Sequence, residues 1–502
     1  MACGQADSGH QPLKLSYLPP LMVYAAYGVS GLTGIVGTFF VKDYLDLSPA
    51  FLAALLFWAG IPWALKMPVG HLVDLIWRWK ALLVWLGASM IAASLLIMIG
   101  LISYTQDMAA VMTLGQWYVV AALLAPTGYM IQDSVADAMT VEAVPRVDEN
   151  GKAYDEPTRK AMHTTMQTLG RVALIGGLAL VAAANIYIFH GTENLGREAK
   201  SALYANVYTA ALAIPVISVL GVILHRFLKH QREVVEKTRP NWAVLGGSVV
   251  FVAITLAVGV GGVPQAQEII FGGSLAIILF LLWRLARELE PAARNALVAT
   301  AIVLFLYRAV PLTGEGATWW MIDVLKFDES FLAQLSLLTY VLTLIGMFAL
   351  RGFMARNSIA TIVVVLSVAA ALLALPSIGM FYGLHEWTAA RTGGVVDARV
   401  ITMFNTALES PLGQIAMIPM LAWIANSAPA HLKATYFAVM ASFSNLALAA
   451  SQLGTVYLNR AFDVKRGDYG ELGELMIVVA VLTLLVPLVA VAGVRLLRLR
   501  TA

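Results

Sequence analysis

The sequence has little charge and almost no cysteine. Only 13% of its 502 residues are charged, about half the share found in ordinary soluble domains, so the chain cannot cover a water-soluble surface. The single cysteine, Cys3, lies in a polar amino-terminal tail and excludes an internal disulfide, a CxxC redox pair and a thiolate zinc cluster. The tail also lacks the basic, apolar and small-residue succession of a cleavable signal, so we expect the first apolar segment to remain a membrane helix.

Several functional classes lack their motifs. The sequence contains no HExxH, GxSxG or GxxxxGK motif and no paired metal-ligand spacing, which argues against a membrane-embedded enzyme and predicts no cofactor and no metal. A net charge of +3, with dispersed Lys and Arg, does not form a nucleic-acid surface. We therefore expect the lipid bilayer and a small-molecule substrate as partners.

What the chain does have is long apolar runs. Hydrophobic residues make up 60% of it and the mean hydropathy is +0.78. Since a bilayer core about 30 Å thick needs roughly 20 apolar residues per helix, the runs predict an all-α polytopic membrane protein with about fourteen spans. These lie near 20–40, 50–70, 81–103, 110–137, 162–188, 203–225, 243–262, 267–286, 293–313, 330–350, 358–383, 399–425, 433–458 and 474–495.

The distribution of basic residues predicts the orientation. With the amino terminus inside, roughly 21 of the 33 Lys and Arg fall on the cytoplasmic side and roughly 9 outside, as the positive-inside rule requires. Lys66, Arg171 and Arg308 remain within the spans. We expect a monomer in a bacterial inner membrane, with both termini cytoplasmic.

The chain contains an internal repeat. FFVKDYLDLSPAFLA, from Phe39, reappears as WWMIDVLKFDESFLA, from Trp319, an offset of 280 residues that also places Asp43 on Asp323 and Tyr27 on Tyr307. Two halves of the same orientation are typical of major facilitator transporters, which bind substrate between them. We predict a six-helix bundle over 1–225, a connector with an inserted helix pair over 226–290, and a second six-helix bundle over 291–502. A channel is the alternative from another class.

The segment GHLVDLIWRWK is predicted to be a loop between the second and third spans. It resembles the signature loop of the major facilitator superfamily, with Gly70 and Asp74 in register and Arg78 and Lys80 as its basic end. An acidic residue there can pair with a partner that is available in only one conformation. The alternative is a solvated loop anchored by its basic residues.

Five segments together resemble the folate-biopterin transporter family of that superfamily: FFVKDYLDLSPA, PWALKMPVGHLVD, QDSVADAMTVE, LYRAVP and KATYFAVMASFSN. They are distributed over most of both bundles. The resemblance implies alternating-access import of pterins or folates, often with protons. Bacterial muropeptide permeases have a similar acidic segment, so a muropeptide or another organic solute is the alternative substrate.

Asp133, Asp137 and Arg171 are the foremost candidates for proton coupling. Ionisable residues in a membrane helix need a partner or a water-filled cavity. The two aspartates are one turn apart on the fourth span, where like charges disfavour simultaneous ionisation. Two other interpretations stay open: a permanent Asp137–Arg171 pair that fixes two helices, and carboxylates close enough to the cytoplasm to reach water.

Other residues are candidate substrate ligands. A carboxylate can accept the paired N–H donors of a pterin, and an aromatic ring can stack on its face. Lys66 is expected either to contact substrate or to snorkel to water. The candidate hydrogen-bond acceptors are Asp133, Asp137 and Glu409. The aromatic candidates are Tyr24, Tyr27, Tyr307, Trp319 and Trp320, although an interfacial belt is the favoured interpretation of the last two. The candidate cations for the glutamate tail of a folate are Arg171 and Arg308.

Overall fold

The computed structural model is mostly helical in the part that it describes. The described residues are 15–45, 47–64, 66–76, 79–144, 154–192, 195–228, 250, 253–255, 257–259, 263–287, 289–412, 433–497 and 499. Within these ranges the chain forms no β-strand, and an isolated bridge joins Lys465 to Asp468. The prediction of an all-α protein is confirmed.

The amino-terminal half is built from helices α1 to α10. Apolar runs form the long helices, and polar caps set some of their ends: Thr113 and Gln116 form a capping box at the start of α7. The bounds are α1 Leu18–Val29, α2 Gly34–Tyr44, α3 Pro49–Ala64, α4 Lys66–Leu75, α5 Lys80–Ser103, α6 Thr105–Val111, α7 Leu114–Ala143, α8 Glu156–Ile188, α9 Arg197–Ala211 and α10 Ala213–Leu228.

The remaining described helices are α11 to α20. Asp328, Ser358 and Asp397 accept backbone N–H bonds at the starts of α14, α16 and α18. The bounds are α11 Ala266–Ala286, α12 Pro291–Arg308, α13 Glu315–Asp323, α14 Glu329–Ala349, α15 Arg351–Arg356, α16 Ile359–Phe381, α17 Leu384–Arg391, α18 Ala398–Glu409, α19 Lys433–Ala461 and α20 Leu472–Leu496.

The helices are suited to a membrane. In the described part, nine helical stretches are long and apolar enough to cross a bilayer, and Pro49–Trp63 is a shorter apolar helix. The predicted span near 243–262 lies largely outside the described residues, as does the end of the span near 399–425. A total of about fourteen spans, and the domain boundaries drawn from it, therefore stay predictions.

The first and ninth spans are both interrupted. A 3₁₀ turn, Ser30–Thr33, separates α1 from α2, and the irregular segment 309–314 separates α12 from α13. The 280-residue offset of the sequence repeat places Gly34 on Gly314, so the two interruptions fall at corresponding positions. Gly314 has a φ of +76°, which glycine adopts without strain. The repeat in the sequence is thus also a repeat of local structure.

Side chains of α19 replace helical hydrogen bonds that the second interruption lacks. The contacts run from Ser451 Oγ to Val310 O at 2.6 Å, from Leu312 N to Thr455 Oγ1 at 2.9 Å, and from Asn459 Nδ2 to Thr313 O at 3.1 Å. The three α19 residues recur every four positions and share one face of the helix. Because irregular backbone at membrane depth needs such partners, this polar face stabilises the interruption.

The first interruption has a similar contact. Asn185 Nδ2 of α8 donates to Leu32 O at 3.5 Å. In the predicted numbering of the spans, α8 is the fifth of its bundle and α19 the fifth of the other. Each interrupted helix is therefore held by an asparagine from the corresponding helix of its own half.

The two halves meet along two helix pairs. Helix α3 packs on α19, and α8 packs on α14. Asn445 Nδ2 of α19 donates to Trp63 O of α3 at 3.3 Å, and Phe57 and Phe443 belong to the same buried cluster. These contacts place the interrupted spans beside the junction of the halves.

Helix α11, from the predicted inserted pair, lies across this junction. Its Gln267 Nε2 donates to Ala54 O of α3 at 3.0 Å, and Tyr457 of α19 hydrogen-bonds to its Glu268. The helix packs mainly on α19 and less on α3. It therefore contacts both halves.

The predicted loop between the second and third spans is mostly helical. Helix α4 continues through Gly70 to Leu75, and α5 begins at Lys80. The expectation of a loop over the whole segment was wrong, because no proline or further glycine follows Gly70 to end the helix. The side chain of Asp74 and the whole of Arg78 lie outside the described residues.

Trp319 and Trp320 are buried in the protein. Their exposed fractions are 1% and 4%. Trp319 packs into a cluster of the amino-terminal half with Phe39 and Phe40, whereas Trp320 packs with Phe327 in the other half. The interpretation of this pair as an interfacial belt was wrong, because α13 is enclosed between the two halves.

Candidate functional site

One lysine joins the two predicted coupling carboxylates. Lys66 Nζ lies 2.5 Å from Asp133 Oδ2 and 2.7 Å from Asp137 Oδ2. The hydroxyl of Tyr24 donates to the other oxygen of Asp137 at 2.6 Å. Helices α4, α7 and α1 thus contribute one polar cluster, which we call the lysine–aspartate cluster: Tyr24, Lys66, Asp133 and Asp137.

The helical register explains this arrangement. Asp133 and Asp137 are one turn apart and so face the same way from α7, while Lys66 is the first residue of α4. Asp133 is 19 residues after Leu114, the first residue of α7, or roughly 28 Å along the helix axis. In the expected orientation, this distance places the cluster toward the cytoplasmic end of the bilayer.

The cluster contains more negative than positive charge. One lysine faces two carboxylates, so full ionisation leaves a net charge of −1 that only the Tyr24 hydroxyl contacts directly. Asp137 is the more accessible carboxylate, with 45% of its side chain exposed against 16% for Asp133. The Asp137–Arg171 ion pair, one of the interpretations left open by the sequence, is not formed, because Lys66 occupies the Asp137 oxygen. Arg171 is exposed and acts on Asp133 only at longer range.

Aromatic rings lie next to the cluster. The Tyr27 ring is 5.2 Å from that of Tyr129 and 6.0 Å from that of Trp63. Tyr27 and Tyr129 line a cavity with Tyr24 and Asp133 in which water centres can occupy about 10 Å³, room for about one water molecule. A drug-sized ligand needs several hundred Å³, so this cavity must widen to admit one.

The other predicted ligands do not join this cluster. Tyr307 and Arg308 end α12, immediately before the second interruption. Glu409 is the exposed last residue of α18 and is followed by the 3₁₀ turn Ser410–Leu412. Lys80 begins α5 with a buried side chain. Gly70 lies on α4, and a Cβ added to it would meet open space.

A second set of charges links the two halves at the opposite end of the bundle. Lys42 Nζ contacts Asp323 Oδ1 at 2.5 Å and Asp43 Oδ1 at 3.1 Å. Arg466 lies 3.4 Å from Asp43, and the Tyr469 hydroxyl donates to Asp323. The repeat-related aspartates of the two halves thus share a lysine whose side chain is only 6% exposed.

A nearby contact reinforces this connection. Lys200 Nζ and the Tyr204 hydroxyl, both from α9, contact Glu329 Oε1 of α14 at 3.1 Å and 2.6 Å. Glu329 is 1% exposed. We call the two sets together the cross-half ion network: Lys42, Asp43, Lys200, Tyr204, Asp323, Glu329, Arg466 and Tyr469. Sequence reasoning found its aspartates through the repeat but not their partners.

A larger groove, with about 630 Å³ open to water centres, lies elsewhere. Helices α16 and α20 line it, mostly with aliphatic side chains such as Val364 and Val491, together with Thr361 and Arg495. Apolar residues of these helices that point outward, including Leu372 and Val489, are exposed. Such a surface is suited to acyl chains, so the groove does not compete with the charged clusters as a solute site.

Comparisons with known proteins agree with this architecture. The BT1 family model matches residues 262–495. A folate-biopterin transporter of Synechocystis sp. is 22% identical over 431 residues, which cover 85% of this chain and 71% of that protein. The matched range includes α11, so the family pattern begins before the second half.

Solved transporters share the fold. A POT family transporter in complex with 5-aminolevulinic acid superposes with a TM-score of 0.64 at 11% identity, covering 96% of this chain and 95% of that one. A proton dependent oligopeptide transporter gives 0.60 at 13% identity, with 96% and 98% coverage. The xylose transporter XylE from E. coli superposes with a TM-score of 0.52 at 12% sequence identity, covering 95% of this chain and 94% of that one. The predicted major facilitator fold and the resemblance to the folate-biopterin transporter family are both confirmed.

Proposed function

We propose that this chain is a secondary transporter that moves a pterin or folate-like solute by alternating access, coupled to protons. The observation that carries the proposal is the lysine–aspartate cluster beside the tyrosines of the first and fourth spans. The name of the Synechocystis relative supports the substrate class. The same proposal includes a monomer in a bacterial inner membrane with both termini in the cytoplasm.

The charge imbalance of the cluster supports proton coupling. A proton that binds Asp137, the more accessible carboxylate, removes the surplus negative charge and weakens the Lys66 contact. Lys66 then pairs with Asp133 alone. Loss of the proton restores the double contact, so protonation changes how firmly α4 is held to α7.

The cross-half ion network supports alternating access. In the expected orientation it lies at the outer end of the bundle and keeps that end closed. The Lys42–Asp323 and Lys200–Glu329 contacts join opposite halves, so they must separate before a solute enters from outside. Opening of one end and closure of the other then move the solute past the interrupted spans.

Uptake by purified protein in proteoliposomes tests the proposal. The solutes should include a pterin, a folate, a muropeptide and an amino acid, each with and without an inward proton gradient. We expect saturable, gradient-driven uptake of the first two. Preferential uptake of a muropeptide or amino acid would replace the substrate class, and rapid non-saturable flux would indicate a channel.

Asp137→Asn tests the coupling role. The variant keeps the shape of the side chain and its contact to Tyr24 but cannot exchange the proton. We expect gradient-driven uptake to be lost while folding and insertion are retained. Uptake that the gradient drives as strongly as in the wild-type protein would reject the role of Asp137.

A further inference from the structure

The second interruption exposes a carboxylate that no described cation neutralises. Glu315 is the first residue of α13, directly after Gly314. Its side chain is half-buried, and it forms no hydrogen bond or ion pair with any other described residue. The backbone of the interruption is already bonded to α19, so it does not use this carboxylate either.

Other carboxylates along the junction of the halves are already paired. Asp133 and Asp137 share Lys66, while Asp323 contacts Lys42 and Glu329 contacts Lys200. A ligand that binds one of these must first displace a lysine. Glu315 can accept donors from a ligand without that competition.

Glu315 faces the amino-terminal half. Trp319, one helical turn after Glu315 on α13, packs into the buried cluster of the amino-terminal half against which Tyr118 of α7 also packs, and Tyr118 is within electrostatic range of the Glu315 carboxylate. The next residue, Gly316, is so close to the start of α3 that a Cβ on it would lie 3.6 Å from Pro49. The carboxylate of one half and Tyr118 of the other therefore lie at the same part of the junction between the halves.

The depth of Glu315 suits a solute site. The repeat places it on Ile35, just beyond the 3₁₀ turn in the middle of the first span. Transporters bind solutes near the bilayer midplane, where discontinuous helices of the two halves meet. The lysine–aspartate cluster lies nearer to the expected cytoplasmic end, so the two sites divide recognition from coupling.

We propose that Glu315 binds the paired N–H and amino donors of a planar 2-aminopyrimidinone ring, the part common to pterins and folates, while Tyr118 supplies aromatic surface. This inference rests on the proposed function and assigns its recognition residue. A carboxylate accepts two adjacent donors in parallel. A ring with a carbonyl in place of the amino group offers one donor and one repelling oxygen.

Two pteridines test the assignment: biopterin, which has the 2-amino group, and lumazine, which has a 2-oxo group instead. Binding is measured by quenching of ligand fluorescence with the full chain in lipid nanodiscs. Wild-type protein should bind biopterin at least about tenfold more tightly than lumazine. Glu315→Gln should weaken the binding of biopterin at least tenfold and change the binding of lumazine less than twofold. The variant should therefore no longer prefer biopterin to lumazine. Glu268→Gln, on α11, is the matched control and should retain discrimination.

The outcomes separate this inference from the proposed function. Wild-type protein that binds neither pteridine would overturn the substrate class and this assignment with it. If wild-type protein prefers biopterin and Glu315→Gln keeps that preference, the role of Glu315 is overturned while the substrate class stands. If the glutamine variant does not fold, Glu315→Asp replaces it, because the shorter carboxylate cannot reach both donors and should also lose the preference for biopterin. An undiminished preference in Glu315→Asp would overturn the assignment.

Discussion

Lys42 and Asp323 form a 2.5 Å ion pair between the two halves of the molecule, and the lysine side chain is almost completely buried. Removal of one partner of a buried ion pair leaves the other charge uncompensated. Closure of this end of the bundle should therefore depend more strongly on the buried Lys42 than on a lysine at the surface.

Lys42→Met should shift the protein toward separation of the halves at this end, by at least about fivefold in population. Spin labels on Tyr104→Cys and Tyr382→Cys, in a Cys3→Ser background, report the separation as a distance. Both positions are exposed and lie at the expected outer end. Lys465→Met is the control, since its pair with Asp463 stays within one exposed loop. Identical distance distributions for the two variants would contradict the role of Lys42.

Lys66→Met should abolish gradient-driven uptake and lower thermal stability, because it leaves Asp133 and Asp137 facing each other without a cation. Arg171→Met should have a much smaller effect on both, since Arg171 is exposed and pairs with neither carboxylate. Uptake and melting temperature of the two variants are compared in the same lipid. A larger effect for Arg171 would restore the pairing that the sequence suggested.

Gly28→Ala should destabilise the protein by about 1–3 kcal/mol through overpacking. A Cβ at this position would lie 2.2 Å from Leu174 O of α8, whereas an added Cβ on Gly34 has open space. Gly34→Ala is therefore the matched control. Thermal unfolding in detergent measures both, and equal melting temperatures would contradict close contact of α1 with α8.

Asn459→Val should cost about 1–3 kcal/mol, because Thr313 O loses its donor in a segment where water does not replace it. Asn357→Val is the control, because that side chain bonds only to Phe353 O of the helix that it directly follows. The difference in melting temperature measures the contact. In uptake assays, Asn459→Val should also lower the rate, since the backbone before Glu315 loses its support.

The fold was predictable because it depends on long apolar runs and on an internal repeat, and both can be read directly from the linear sequence. The offset that matches Leu32, Thr33 and Gly34 to Leu312, Thr313 and Gly314 also located the interrupted spans. The segment after Gly70 was harder, because a polar composition alone does not distinguish a loop from the end of a helix.

The site was less predictable, because side-chain partners depend on how helices rotate against each other. Lys66 and Asp133 are 67 positions apart, and no local pattern favours Lys66 over Arg171 as the counter-ion. Glu315 was missed although a signal existed: the second copy of the repeat has a glutamate where the first has Ile35. A charge gained in one copy of a membrane repeat indicates a functional position.

Helix α11 has a consequence for motion between the halves. Its neighbouring residues Gln267 and Glu268 bond to α3 and α19, which belong to opposite halves. A rotation of the halves must break one of these bonds. The carboxylate of Glu268 makes the stronger hydrogen bond, and α11 packs more extensively on α19. In the proposed alternation between states, we therefore expect α11 to move with the carboxyl-terminal half while α3 slides along it.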